Sequence, residues 1–345
     1  MPKLQKCIAP FIAFIACLCI ATAQADTGSK NIESKKAESK STKPKKEKPK
    51  KADSKKPESK KVEFAKIASA KLDSTKSDSA PRSTNDRPKE PFTAYNGTTY
   101  ILKDSDIKGV KTPPLKIGEK PIKWLAHPKY ATRQIAIIPI AYRTKPGTLA
   151  LSAAPTLALT IKPGNYKKEQ ITISDASKVK PDEASLQRIA RERDEANAIY
   201  ADSSAKRYWR EPFAYPLRST ITSPFGSARV FNGELQSFHG GVDFRAPTGT
   251  PLHAVNDGVV ALAKERFLAG KSVIIDHGEG LYSTYFHCSE LKVKVGDAIK
   301  KGDLIALSGA SGRVSGAHLH FGIVYSGVQV DPLDFITAIN ALFAE

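Results

Sequence analysis

The sequence predicts a mainly β protein: an antiparallel β-sheet C-terminal domain with an open groove, preceded by a small β-sandwich-like domain and a connecting helix. Three observations carry this reading. Short runs rich in Val, Ile and Tyr recur from Phe92 onward, each bounded by Gly or Pro, as strands and tight turns require. Between the runs after Pro216 no helical pattern of 10–12 residues occurs, so parallel crossover connections are not expected. One stretch, 181–207, breaks the pattern with an apolar stripe at helical spacing.

The 345 residues are enough for about two domains. Residues 1–25 read as a secretory signal peptide: Lys3 and Lys6, then an apolar run, then Ala23-Gln24-Ala25 before the cleavage point. An uncleaved run would instead tether the chain to the inner membrane, and no later stretch is apolar enough to span one. Export predicts a location outside the cytoplasm, periplasmic or secreted. Three of the four cysteines, Cys7, Cys17 and Cys19, leave with the leader. Cys288 remains alone, so no internal disulfide framework is possible and the thiol is expected to pack as a small apolar group.

Residues 26–91 form a Lys-rich linker; between 26 and 90 it carries 20 Lys/Arg against 11 Asp/Glu, and Phe64 is its one aromatic. Such a segment buries too little apolar surface to offset ordering entropy, so disorder is expected. The chain's net charge of +19 is concentrated here. An acidic polymer could be attracted, but nucleic acid is excluded as a partner: the chain is exported and no aromatics interleave the lysines for base stacking.

Residues 92–180 contain YIL, QIAIIPIAY, TLALSA and TLALTI, separated by Pro113-Pro114, Pro146-Gly147 and Pro163-Gly164. This predicts the small β accessory domain. Over 181–210, Pro181-Asp182-Glu183 is a good helix start, and Leu186, Ile189, Ala196, Ile199 and Tyr200 make one stripe. The stripe predicts that the helix docks and places the small domain beside or partly over the groove, restricting access or orienting a polymer strand; the rival is a plain spacer. Residues 211–345 form the second domain, ending in a short helix near 332–343.

The chemistry lies in SFHGGVDF and AHLHFG. Gly240-Gly241 argue against a helix between His239 and Asp243, so the glycines are expected to let the backbone fold until both side chains converge. His318 and His320, two apart on a strand, share a face while Leu319 points to the core. Two imidazoles and one carboxylate suit Zn²⁺, with the fourth position left to water. Spacing alone leaves open which histidine stays outside the metal. His127, His253 and His277 are expected to be structural, with His277 fixing a turn and His253 partly buried. Arg245 and Arg313 flank the groove and are candidates for substrate carboxylates. VKVGDAIKKGDLIALSG is similar to the hammerhead of lipoyl and biotinyl carriers, but no lysine stands in a matching turn.

HGGVD with HLH resembles the M23 metallopeptidases, the lysostaphin/LytM-type peptidoglycan endopeptidases. The flanking ITSPFGSARVFNG, APTGTPLHAVNDGVV, STYFH and VKVGDAIKKGDLIALSGASG match too, so the resemblance covers about 216–335. It implies one Zn²⁺ per chain on His239, Asp243 and His320, with His287 and His318 acting on the water and substrate. Some members carry a tyrosine just before the first ligand, whereas 232–238 here contains none. The implied activity is hydrolysis of wall crosslinks, of the D-Ala–meso-diaminopimelate type in Gram-negative members, for remodelling or cell shape. The implied partner is peptidoglycan, and a regulatory protein partner is possible. The rival is an inactive M23-like module that activates another wall hydrolase; such modules lose ligands, and all five positions are present here.

Overall fold

The computed structural model describes residues 83, 90–109, 112–153, 156–231, 233 and 235–345. The leader and nearly all of the Lys-rich linker lie outside the described residues. Among those described, no helix is long and apolar enough to cross a membrane.

The N-terminal run contains β1 (Thr93–Tyr95), β2 (Thr99–Lys103), β3 (Leu115–Ile117), β4 (Lys120–Ile122), β5 (Trp124–Ala126), β6 (Gln134–Pro139), β7 (Gly147–Ala153) and β8 (Thr156–Lys162). They form two three-stranded sheets, β2-β6-β5 and β1-β8-β7, and the hairpin β3-β4. The pairing is antiparallel except for β1 with β8. The unbroken apolar run of β6 has a direct cause: the strand is buried on both faces. Ala136 and Ile138 join the small core with Leu102, Leu159 and Ile161. Ile135 and Ile137 face the other way, into the main core of the molecule. The small β unit therefore shares its packing with the C-terminal part. Its edge is pinned to the C-terminal helix where Asp334 Oδ2 accepts from Thr99 N at 2.7 Å.

β9 (Lys168–Ile171) departs from the sandwich expectation, because it joins neither small sheet and instead pairs in parallel with a strand beside the candidate site. Helix α1 (Glu183–Ala201) follows. Asp182 caps it by accepting from Ser185 N at 2.8 Å, so Pro181 precedes the cap rather than opening the first turn.

The C-terminal part contains β10 (Ile221–Ser223), β11 (Ala228–Phe231), β12 (Leu235–Phe238), β13 (Val242–Arg245), β14 (Pro251–His253), β15 (Gly258–Arg266), β16 (Gly270–Gly278) and β17 (Leu281–Cys288). After these come β18 (Glu290–Leu291), β19 (Ala298–Ile299), β20 (Leu304–Leu307), β21 (His318–Tyr325), β22 (Val328–Val330) and α2 (Pro332–Ala344). The main antiparallel sheet has the order β10-β13-β21-β17-β16-β15-β19, with β22 also on β21. Alternation sends Val242, Phe244, Leu319, Phe321, Ile323, Val273 and Ile275 to the back, into the main core that α2 also joins through Leu333, Phe335, Ile336 and Ile339.

The other face carries both the candidate site and α1. Cross-strand pairs Phe286–His320, Thr284–Gly322 and Tyr282–Val324 share that face. Ile199 and Tyr200 of α1 pack on Tyr282, Val324, Ile274 and Leu262 at its far end. Glu195 pairs with Lys264 at 2.7 Å, and Tyr282 donates to Ile199 O at 2.5 Å. The helix docks, as its stripe predicts. The small β unit does not follow α1 onto this face: it packs on α2, β22 and the main core, and Tyr142 beyond β6 stacks on Phe238, next to His239, with centroids 4.2 Å apart. The reason lies in β6, whose second apolar face must be buried against the main core.

The structural histidines divide. His277 is fully buried, with Nδ1 2.7 Å from Asp257 O and Nε2 2.8 Å from Ser283 Oγ. His127 is buried and its Nδ1 accepts from Lys129 N and Tyr130 N. His253 is exposed rather than partly buried, because in β14 only Leu252 points inward. Cys288 is buried, and burial pushes its thiol up to about 12, as expected of an apolar filler.

Burial pushes His277 down to about 4. Its folded value lies below the unfolded one, so the unfolded chain takes up the proton first as pH falls. Stability from this group is complete above about pH 6.5 and lost progressively toward about pH 4, a change on the order of 3 kcal/mol. Denaturant titrations between pH 7 and 4 should show this loss. His277→Gln should flatten part of the slope; an unchanged slope contradicts the assignment.

Candidate metal centre

β13 and β21 are antiparallel neighbours, with Asp243 opposite His320 and Arg245 opposite His318. Leu319 between the histidines is fully buried, as the two-residue spacing predicts. The glycines of HGGVD act through close approach rather than through unusual backbone angles. A Cβ at Gly241 would lie 2.4 Å from Phe321 O and 2.7 Å from His320 Nε2, so only glycine lets the loop pass β21. His239 N donates to Ser227 O and Gly226 N to His239 O, which anchors the loop to the turn before β11.

Three donor atoms meet. His239 Nε2 is 2.8 Å from Asp243 Oδ1, His320 Nδ1 is 2.9 Å from the same oxygen, and the two nitrogens are 2.9 Å apart. His239 Nδ1 lies 2.9 Å from Pro224 O, a group that only accepts, so Nδ1 carries the hydrogen. Burial lowers His239 to about 4, so the ring is neutral at pH 7 and Nε2 presents a lone pair. Burial alone would raise the Asp243 carboxyl; His239 and His320, when either carries a proton toward it, outweigh burial and hold it well below the usual range. Three acceptors this close repel unless something positive lies among them. A proton serves one pair at a time, whereas a divalent cation serves all three, and two imidazoles with a carboxylate are a fitting donor set for one.

The surroundings orient these donors. Phe286 stacks flat on the His320 ring, with centroids 5.3 Å apart. Arg229 Nη2 donates to the free oxygen of Asp243, Oδ2, at 2.6 Å. Ser223 Oγ lies 3.1 Å from His239 Nδ1 and accepts from Arg229 Nη2 at 3.0 Å. Arg229 and Ser223 stand in the ITSPFGSARVFNG stretch, but the sequence reading did not single them out. The signal was a charge and a hydroxyl just upstream of HGGVD.

His318 and His287 are brought to the same place by different means. His318 Nδ1 is 2.8 Å from Gly316 O, and its Nε2 lies 3.7 Å from Asp243 Oδ1. Strand alternation would send His287 to the core side with Tyr285. Its left-handed backbone, φ +63°, breaks the alternation, and the ring sits 4.9 Å from that of His318. His287 N donates to Ala269 O, and Nδ1 lies 2.8 Å from Ser311 O. Burial, then the neighbouring His318, hold His287 well below the ordinary histidine value, so it is neutral with an Nε2 lone pair. The two arginines differ: Arg313 lies over the Phe231 ring at 4.4 Å, whereas exposed Arg245 has no acidic partner among the described residues.

Residues 237–332 match the model of Peptidase family M23. The peptidoglycan DD-endopeptidase ShyA of Vibrio cholerae is 40% identical over 137 residues, which is 39% of this chain and 32% of that protein. The DD-carboxypeptidase/endopeptidase Mpg of Neisseria meningitidis is 33% identical over 123 residues, 36% of this chain and 28% of that protein. The chain thus spans about a third of the length of these curated relatives. A crystal structure from Pseudomonas aeruginosa, assigned provisionally to peptidase M23, is 27% identical with a TM-score of 0.55, over 74% of this chain and 97% of that one.

Asp243→Ala should leave two neutral imidazoles that hold a divalent cation weakly and leave its charge less neutralised. Metal content after dialysis against trace-metal-free buffer should fall from about one ion per chain to near zero. Full occupancy in the variant contradicts the assignment.

Proposed function

We propose that residues 237–332 form a peptidase domain of family M23 and that the protein is a zinc-dependent endopeptidase that hydrolyses the peptide crosslinks of peptidoglycan in the periplasm. The bond proposed is D-Ala–meso-diaminopimelate. The observation that carries this reading is the meeting of His239 Nε2, Asp243 Oδ1 and His320 Nδ1, with His318 Nε2 just beyond them.

His239, Asp243 and His320 would hold the ion. When bound there, Zn²⁺ supplies a lowered pKa for water, toward about 7, and polarisation of the scissile carbonyl. The remaining work belongs to side chains. His318, with Nδ1–H directed to Gly316 O, accepts the proton of the attacking water at Nε2 and delivers it to the leaving amine nitrogen. His287 has its Nδ1–H engaged by Ser311 O, so Nε2 offers an acceptor rather than a cation and orients the water or the scissile N–H. Arg245 faces the groove opposite His318 and suits the free carboxylates of the stem peptides.

The experiment is digestion of defined crosslinked muropeptide dimers by the purified protein, read by mass spectrometry. Monomers should appear, vanish with a chelator and return with zinc; no cleavage by zinc-loaded protein overturns the proposal. His318→Ala should keep its zinc while turnover falls about 10²–10⁴-fold. Loss of the metal would make His318 a ligand instead.

Arg245→Ala should raise KM about 10-fold on dimers with free diaminopimelate carboxylates and leave amidated dimers nearly unchanged. Equal effects on both substrates would remove Arg245 from recognition.

A further inference from the structure

β9 is out of place in a spacer. It leaves the small β unit, crosses to the C-terminal part and lies in parallel on β11, with Glu169 opposite Arg229. The Glu169 carboxylate accepts from Ser223 Oγ at 3.0 and 3.2 Å and lies 3.6 Å from Arg229 Nε. The same Ser223 hydroxyl touches His239 Nδ1, and the same guanidinium holds Asp243 Oδ2.

A count of protons shows what Glu169 does. Ser223 has one hydroxyl hydrogen and three polar neighbours. Arg229 is a donor, and His239 Nδ1–H is a donor because Pro224 O fixes that tautomer. Glu169 is the one neighbour of the three that can take the hydroxyl hydrogen, leaving the Ser223 lone pairs to Arg229 and His239. Charge points the same way. Arg229 is largely buried and sits against a candidate metal ligand. Alone, its positive charge would oppose a cation held nearby, and Glu169 offsets it.

We propose that Glu169 is a positioning residue of the metal centre: acting through Ser223 and Arg229, it orients His239 and Asp243 and raises metal affinity. The inference rests on the metal site proposed above. It makes a strand contributed from the N-terminal side a working part of the site rather than a link to it.

The test uses the full chain and zinc alone, with affinity read by competition against a chelating dye. Glu169→Gln should bind zinc about 10-fold more weakly, the lower end of the effect of losing an outer partner of a ligand. Gln170→Ala, on an exposed position of the same strand, should match the unsubstituted protein. In a Ser223→Ala/Arg229→Ala background, Glu169→Gln should change affinity less than about 2-fold, since both intermediaries are gone. A purely structural role would lower the melting temperature of the metal-free protein and leave zinc affinity unmoved, which overturns the proposal. So does a Glu169→Gln effect undiminished without Ser223 and Arg229. A second measurement needs no variant. Coupling is reciprocal, so zinc should slow amide hydrogen exchange across 168–171 in the unsubstituted protein. Exchange there that ignores zinc overturns the coupling. Protein that binds no zinc at all sinks the metal reading together with this one.

Discussion

Everything around the site answers to one electrostatic constraint: Asp243 Oδ1, His239 Nε2 and His320 Nδ1 are held within 2.9 Å of one another. Like-signed electron pairs at that separation do not stay together by preference. They are forced together by the β13–β21 register, by the absence of a side chain at Gly241 and by backbone carbonyls that fix histidine tautomers. A cation at the centre turns the same repulsion into coordination, so the fold holds the donors ready and binding need not reorganise them.

That constraint organises the two faces of the sheet differently. The back is largely apolar, with Phe244, Leu319 and Phe321 completely buried in the main core. The front must stay polar and accessible around His318 while its far end is covered. Helix α1 does the covering, laying Ile199 and Tyr200 on Tyr282 and Val324 and leaving its charged side to solvent. The small β unit packs behind, where Ile135 and Ile137 complete the main core. The chain then reaches the site region through β9 and the far end of the front through α1. Glu169 is the point at which that return meets the site.

Much of this was legible in the residues. Period-two alternation in HLHFGIVY assigns His318 and His320 to one face and Leu319 to the other, and no tertiary information is needed for that. The glycine-bounded strand runs, the stripe of α1 and the burial of Cys288 are local or compositional, so they too can be read directly. The flanking motifs resemble those of the M23 family for the same reason. His287 was reachable through the family pattern but not through alternation, which sends it to the core until a left-handed φ turns it back.

By itself, then, the sequence determined a mainly β fold, a docked helix and the four side chains His239, Asp243, His318 and His320 suited to a metal and a proton transfer, with His287 added only by the family pattern. These follow from spacing and side-chain chemistry, properties carried by neighbours along the chain. Tertiary structure decided the rest: that the small β unit packs behind the sheet, that Arg229 grips Asp243, and that Glu169 reaches Ser223. Those depend on which segments meet after folding. A Lys-Glu-Gln stretch has no local pattern that distinguishes a solvated strand from one laid in parallel beside the His239–Asp243–His320 cluster. The distinction exists only because β6 needs a second apolar surface and the chain must return past β11 to cover the front of the sheet.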